Sequence, residues 1–286
     1  RDLHLSLRRQ RQMCIRDRFW RDYPYLLPCL FSSTMSSIAF ILAFKKLPES
    51  LPQEERSDSD ASPLSQLSET VSSIISVLKL PTISSLVVVN FLFLLGFTMM
   101  HGTFILFTSM DPDSGGLGWS ERDNGWVFAF IGLLGVIIQG RLIGPLTRRF
   151  RLRGMMIVGT ALAGLGVASI PYAPAEASWL IFGSCAGLAI GNGLFSPTQS
   201  SLLTFETKGG GYELGMVMGA QEGSGALARI IGPFLAAYIW SLTVDGEGLW
   251  TYHTCFRIAG VVFFVALLLQ LRLRSSDGLR PDAGGI

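Results

Sequence analysis

The chain has 286 residues, 49% of them hydrophobic and only 15% charged, with a mean hydropathy of +0.43. A soluble domain carries about 25% charged residues, so this composition leaves too little polar surface to cover a globule and points to a membrane. The net charge of +2 gives no sign of a nucleic-acid partner, because the basic residues gather loop by loop rather than along one face.

In chain order, seven segments are long and apolar enough to span about 30 Å of hydrocarbon, which takes ~20 residues. They are Tyr23–Phe44, Ile83–Thr108, Asp123–Ile143, Met155–Tyr172, Trp179–Leu203, Leu214–Trp240 and Trp250–Leu271. Each is apolar nearly all round, as helices in a bilayer are. From the second span onward the connections are short, so successive spans run antiparallel, and the third and fourth, with the Arg-rich loop between them, are expected to pack as one hairpin. Only the first connection is long. Its Lys45–Lys79 stretch, with "EERSDSDASP" at its centre, reads as a flexible linker, and Pro63–Leu80 is amphipathic enough for a short surface helix. Cys14, Cys29, Cys185 and Cys255 lack metal-ligand or CxxC spacing, and the three in apolar runs are expected to be packed, reduced thiols.

Charge sets the sidedness. One set of span ends carries Lys45, Lys46, Arg56, Lys79, Arg141, Arg148, Arg149, Arg151, Arg153, Lys208, Arg272, Arg274 and Arg280, whereas the opposite loops carry only Arg122 among Asp111, Asp113, Glu121, Glu176, Asp245 and Glu247. Positive residues mark the cytoplasmic side. Trp119, Trp126, Trp179, Trp240 and Trp250 fall at the other ends, where an outer aromatic belt belongs. Residues 1–18 break this pattern. They are rich in arginine, do not begin with Met, and contain "RQMCIRDR", which resembles the spurious ends of assembled reads. This segment is read as a doubtful tail on a fragment, with a native basic tail as the alternative.

The sixth span holds "GSGALARIIGP", Gly223–Pro233. Residues four apart share a helix face, so Ala220, Ser224, Ala228, Gly232 and Ala236 form one small-residue stripe, with Gly215, Gly219 and Gly223 beside it. Small residues let helices approach closely in lipid, where no hydrophobic force drives them together. Gly183, Gly187 and Gly191 repeat the device in the fifth span, and Gly140 and Gly144 in the third. Pro233 removes one backbone hydrogen bond and is expected to kink its helix.

Gly223, eight residues and then Gly232-Pro233 resembles the glycine–proline motif of antiporters in the major facilitator superfamily. The surrounding "GMVMGAQEGSGALARIIGPFLA" resembles the eleventh helix of the tetracycline-efflux-like, drug:proton antiporter branch. "GRLIGPLTRRFRLRG" resembles the second-half copy of the family's Gly-x-x-x-Asp-Arg-x-Gly-Arg-Arg loop, with Gly144, Leu146 and Arg149 in register. Arg148 stands at the acidic position and Arg151 at the second glycine, so a proton-gating role for that acid does not carry over. "PYLLP" and "KLPES" resemble the entry and exit of the family's sixth helix.

The resemblance implies an all-α, polytopic helix bundle whose seven spans are helices six to twelve of twelve. Residues 19–44 would be the last helix of the N-terminal half and 45–82 a cytoplasmic central linker. The C-terminal six-helix half would cover 83–272, with 273–286 a cytoplasmic tail. Loops 45–82, 144–154 and 204–213 would face the cytoplasm, in a plasma or inner membrane. The implied function is secondary active transport of a small molecule by alternating access, as proton-coupled efflux, with a metabolite uniporter or symporter, a channel or a scaffold as alternatives. The implied partners are the bilayer, the substrate, protons and the missing N-terminal half. No nucleic acid, cofactor or metal is expected, and no span carries an enzyme's nucleophile or metal motif.

Polar groups inside spans are the site candidates, because charge near the bilayer centre is costly. Asn90, His101, Asn192, Gln221 and Glu222 are candidates for the cavity wall, and Gly223, Arg229, Gly232, Pro233, Gly144, Arg148 and Arg149 for the packing and gating motifs. Arg229 either hydrogen-bonds the backbone of a neighbouring helix or contacts substrate. Seven residues apart, Glu222 and Arg229 share a face but are expected to be too distant along the axis to pair. Asn192, between Gly191 and Gly193, marks either local unwinding or an amide bond between helices, and His101 is either a titrating group or a surface-facing ring. Arg257 is expected to snorkel outward near Asp245 and Glu247.

Overall fold

The computed structural model describes residues 23, 25–47, 79–177, 179–210, 212–244 and 251–273. These form seven long helices: α1, Leu26–Lys46; α2, Pro81–Ser109; α3, Glu121–Arg149; α4, Leu152–Ser169; α5, Trp179–Gly209; α6, Leu214–Val244; and α7, His253–Arg272. No strand occurs among the described residues. Residues 1–18, the amphipathic stretch before Lys79, and Asp245 and Glu247 lie outside the described residues.

The chain forms two units, residues 1–61 and 62–286. In the first, α1 is apolar and exposed along its length, including Cys29, which is therefore not the packed thiol expected from its apolar run. Thr34 and Ser37 bond the carbonyls of Leu30 and Ser33 one turn back, which satisfies both hydroxyls within the helix.

The second unit is built around α2. Of its central apolar window 56% is buried, against 11% for α3. Pro81 opens α2 at a position where its missing N–H costs nothing. Phe93 stacks on Phe195 of α5 at 3.7 Å and meets Phe263 of α7 edge-on at 5.1 Å, so one ring joins three helices. Around α2 pack α6 and α7; α4 bridges α7 and α5; and α3 lies outermost on α5. Ser120 and Asp123 form a reciprocal cap at the start of α3, and Thr108 of α2 donates to Asn124 at 2.7 Å, tying the end of α2 to the start of α3.

α4 and α5 touch backbone to backbone. A Cβ on Gly191 would stand 2.5 Å from the Gly159 oxygen and 2.6 Å from the Ala163 nitrogen, and one on Gly166 would stand 2.5 Å from the Ser184 oxygen. This crossing accounts for a departure from the expected hairpin of the third and fourth spans. α4 turns its glycines to α5, while Phe150 and Arg151 join α3 to α4 in extended backbone and release α3 to the far side of α5. α3 grips α5 at a π-helical turn, Ile138–Leu142, which presses Ile138 against Gly193. Such single wide turns re-aim a side chain without ending the helix. The remaining glycines of α3, among them Gly140 and Gly144, meet nothing within 4 Å.

Candidate functional site

α6 has two unlike faces. One carries Ala220, Ala228, Gly232 and Ala236, all buried against α2. Thr98 donates to the Ala228 carbonyl at 3.1 Å, and a Cβ on Gly232 would run into the Thr98 hydroxyl. The other face carries Gly215, Gly219 and Gly223, which are exposed with nothing within 4 Å. Identical spacing therefore serves opposite surroundings. Pro233 lies within α6, whose helix continues unbroken through it to Val244.

On the open face, Arg229 Nη2 lies 3.8 Å from Glu222 Oε2, with the side chains 56% and 74% exposed. The two residues thus do pair, contrary to the expectation from helical rise. Seven residues span ~10 Å of axis, but two long side chains extended toward each other close that gap. Gly225, between them in sequence, is buried toward α2, where a Cβ would stand 2.9 Å from Leu94 Cδ1. Arg229 is accordingly exposed and turned to Glu222, not to the α2 backbone as an interhelical lock would require.

The remaining candidates separate. Asn90 and Gln221 are buried and meet at the α2–α6 contact, where Asn90 Nδ2 donates to the Gln221 carbonyl at 3.2 Å. His101 is exposed, with its ring stacked over Phe97 at 6.2 Å and edge-on to Phe128 at 5.9 Å. Asn192 is half-buried within unbroken helix, so the local unwinding considered for it does not occur. Gly144, Arg148 and Arg149 are exposed at the end of α3, and the Arg149 guanidinium lies 6.0 Å from the Phe150 ring. None of these three joins the α6 pair among the contacts described.

Three polar groups stand out that sequence reading undervalued. Gln199 is fully buried and donates to the Leu86 carbonyl at 2.7 Å. Gln270 of α7 is fully buried and donates to Thr160 of α4 at 2.7 Å. Arg153 donates to the Gln270 and Leu271 carbonyls at 3.3 and 3.0 Å, capping the end of α7. A glutamine inside an apolar span was the available signal. Its meaning depends on which neighbour it meets, and spacing does not supply that. Arg257 donates to the Tyr172 hydroxyl at 2.8 Å, and Tyr172 stacks on His253, so this arginine ties α7 to the turn that follows α4. Among the described residues no cluster of His, Cys, Asp and Glu could hold a metal.

The sequence profile of the Major Facilitator Superfamily matches residues 22–211 and again 92–284. Among solved structures, a variant of the peptide transporter POT in complex with alafosfalin matches with a TM-score of 0.53 and 21% identity, over 69% of this chain and 39% of that one. The same transporter in complex with sulfate matches with a TM-score of 0.48 and 23% identity, over 69% of this chain and 39% of that one. The chain thus spans well under half the length of these transporters. No curated protein matches it. The seven helices among the described residues that are long and apolar enough to cross a bilayer agree with the profile that covers most of the sequence: this is an integral, multi-pass membrane protein of the major facilitator superfamily.

Proposed function

We propose that the chain forms the C-terminal half, and one helix of the N-terminal half, of a secondary active transporter that moves a small molecule by alternating access. The observation that carries this reading is the Glu222–Arg229 pair, exposed on a helix of membrane-spanning length. Charge turned to lipid is costly, and ionisable groups within spans face a water-filled cavity or a partner. The open face of α6 is therefore the wall of a substrate pathway, with the other half of the molecule across it. Folds of this kind place the site between two repeats near the bilayer midplane. Seven spans supply one repeat and a single helix of the other.

Proton-coupled efflux is the direction we assign, on the resemblance of Gly223–Pro233 to the antiporter motif. Glu222, the carboxylate of the exposed pair on the open face of α6, is the residue to which we assign the coupling. By the charge asymmetry, the Arg148–Arg153 turn, 204–213 and the linker 45–82 face the cytoplasm. The test is flux in vesicles containing the complete transporter under an imposed pH gradient. Glu222→Gln should preserve folding and abolish the dependence of flux on the gradient. Equal flux with and without the gradient in the native protein would make it a uniporter, and absence of flux for every small-molecule class tried would leave a scaffold.

A further inference from the structure

Three helices of the six-helix unit are joined by a closed ring of amide hydrogen bonds. Asn90 on α2 donates to the Gln221 carbonyl of α6 at 3.2 Å and to Ser224 Oγ at 3.4 Å. Gln221 Nε2 donates to Ser200 Oγ of α5 at 3.3 Å. Gln199, adjacent to Ser200, donates back to the Leu86 carbonyl of α2 at 2.7 Å. Leu86 and Asn90 stand one turn apart, so the ring returns to its starting point.

The nitrogens are engaged, whereas two of the oxygens are not. Gln199 Oε1 and Gln221 Oε1 are closed to solvent and without a hydrogen-bond partner among the described residues. The two residues are 0% and 6% exposed. Turning the amides over does not remove the problem. The Leu86 carbonyl is only an acceptor, so it fixes which end of Gln199 faces it. Ser200 accepts or donates equally well, but reversing Gln221 exchanges an unclaimed oxygen for unclaimed N–H groups.

We propose that this junction is a binding site for a small monovalent cation of the Na⁺ type, held by Gln199 Oε1, Gln221 Oε1 and Ser200 Oγ. Uncharged, hard oxygen ligands suit an alkali or alkaline-earth ion over a transition metal. No carboxylate belongs to the ring, which argues against a divalent ion, whereas carbonyl oxygens alone replace the hydration shell of monovalent ions in membrane proteins. The following residue, Glu222, is paired with Arg229 on the open face, so the junction itself is uncharged. Access runs from that face, because Ser200 and Ser224 at the rim are half-buried while Gly223 is exposed. The long Gln221–Ser200 bond is the link that opens to admit the ion and re-forms as coordination. The site does not depend on the transport reading, since its test measures binding.

The complete transporter in detergent would be titrated with NaCl against choline chloride at constant ionic strength, with thermal unfolding and equilibrium binding of radioactive sodium both followed. Saturable binding and a Na⁺-dependent rise in the unfolding midpoint are expected. Gln199→Met and Gln221→Met should each weaken Na⁺ binding on the order of tenfold or more, as loss of a supporting ligand does elsewhere. Ser200→Ala, a smaller change, serves if either methionine variant fails to fold, and should weaken Na⁺ in the same sense. Indifference of the native protein to Na⁺ in both measurements would overturn the assignment and leave the oxygens to water. Binding that survives all three substitutions would place the ion elsewhere and equally overturn it.

Discussion

Gly223 and Gly232 sit on one helix and meet opposite surroundings. A side chain at Gly232 would enter the Thr98 hydroxyl and approach the Met99 backbone nitrogen at 3.3 Å, whereas one at Gly223 enters open space. Gly232→Leu should lower the unfolding midpoint of the purified protein, since overfilling a packed contact costs about 1–3 kcal/mol. Gly223→Leu should leave that midpoint nearly unchanged while impairing flux, because its bulk falls only on the face assigned to the pathway. Loss of folding in both, or neither, would contradict the two-faced account of α6. Arg229→Lys separates two further roles. An interhelical lock would need the planar, multi-donor guanidinium, but the contact observed is a single approach to Glu222 at 3.8 Å, which a lysine partly reproduces. The variant should therefore fold normally in a thermal assay, and any loss should appear in flux.

Among whole helices, the α4–α5 crossing is the most intimate, because the atoms in contact are main chain. Gly191→Val would drive a side chain into the Gly159 carbonyl and the Ala163 nitrogen, and neither can move without its helix. It should destabilise by about 1–3 kcal/mol or more, whereas Gly183→Val on the same helix, with nothing within 4 Å, should be tolerated. Comparing unfolding midpoints of the two variants checks this. Both glycines belong to a single stripe in the sequence, and spacing gave no hint that one is packed and the other open. The reason is physical. Membrane helices are apolar on every side, so the contrast between wet and dry faces that orients a helix in a soluble protein is missing. Helix existence was legible for the converse reason, since a bilayer demands long unbroken apolar runs. The ends were less so: α3 runs six residues past the predicted Ile143, to Arg149, carried through its π-helical turn.

At the level of the molecule, the order of connections puts the α2–α3 and α4–α5 loops at one end of the unit and the α3–α4 and α5–α6 turns at the other. Single cysteines at Asp113 and Arg149, introduced into a version lacking native thiols, should therefore react with an impermeant reagent from opposite sides of intact cells. Reaction of both from outside would refute this topology. The face proposed as the pathway wall was only half legible. Glu222 and Arg229 drew attention as charges within an apolar run, but their pairing rests on how far two long side chains reach along the helix, which rise per residue does not give. The polar ring was harder to see, because Gln199 and Gln221 acquire meaning only when α2, far away in sequence, lies across both.

That distance has a consequence in time. The bonds from α2 to α6 link residues 130, 131 and 134 positions apart, whereas Ser169 and Ser184 join α4 to α5 across only 15. At 5–20 residues per second of synthesis, α4 and α5 meet almost as soon as they emerge, while α2 waits on the order of ten seconds for α6. Throughout that interval the Asn90 amide, which ends in a buried bond, lacks its partner in hydrocarbon. A nascent chain stopped after residue 210 should consequently turn over faster in a pulse–chase experiment than one completed through α7, and Asn90→Leu should slow the loss of the stopped chain. The polar contact that joins the finished unit is, during its making, the mark of an unfinished one.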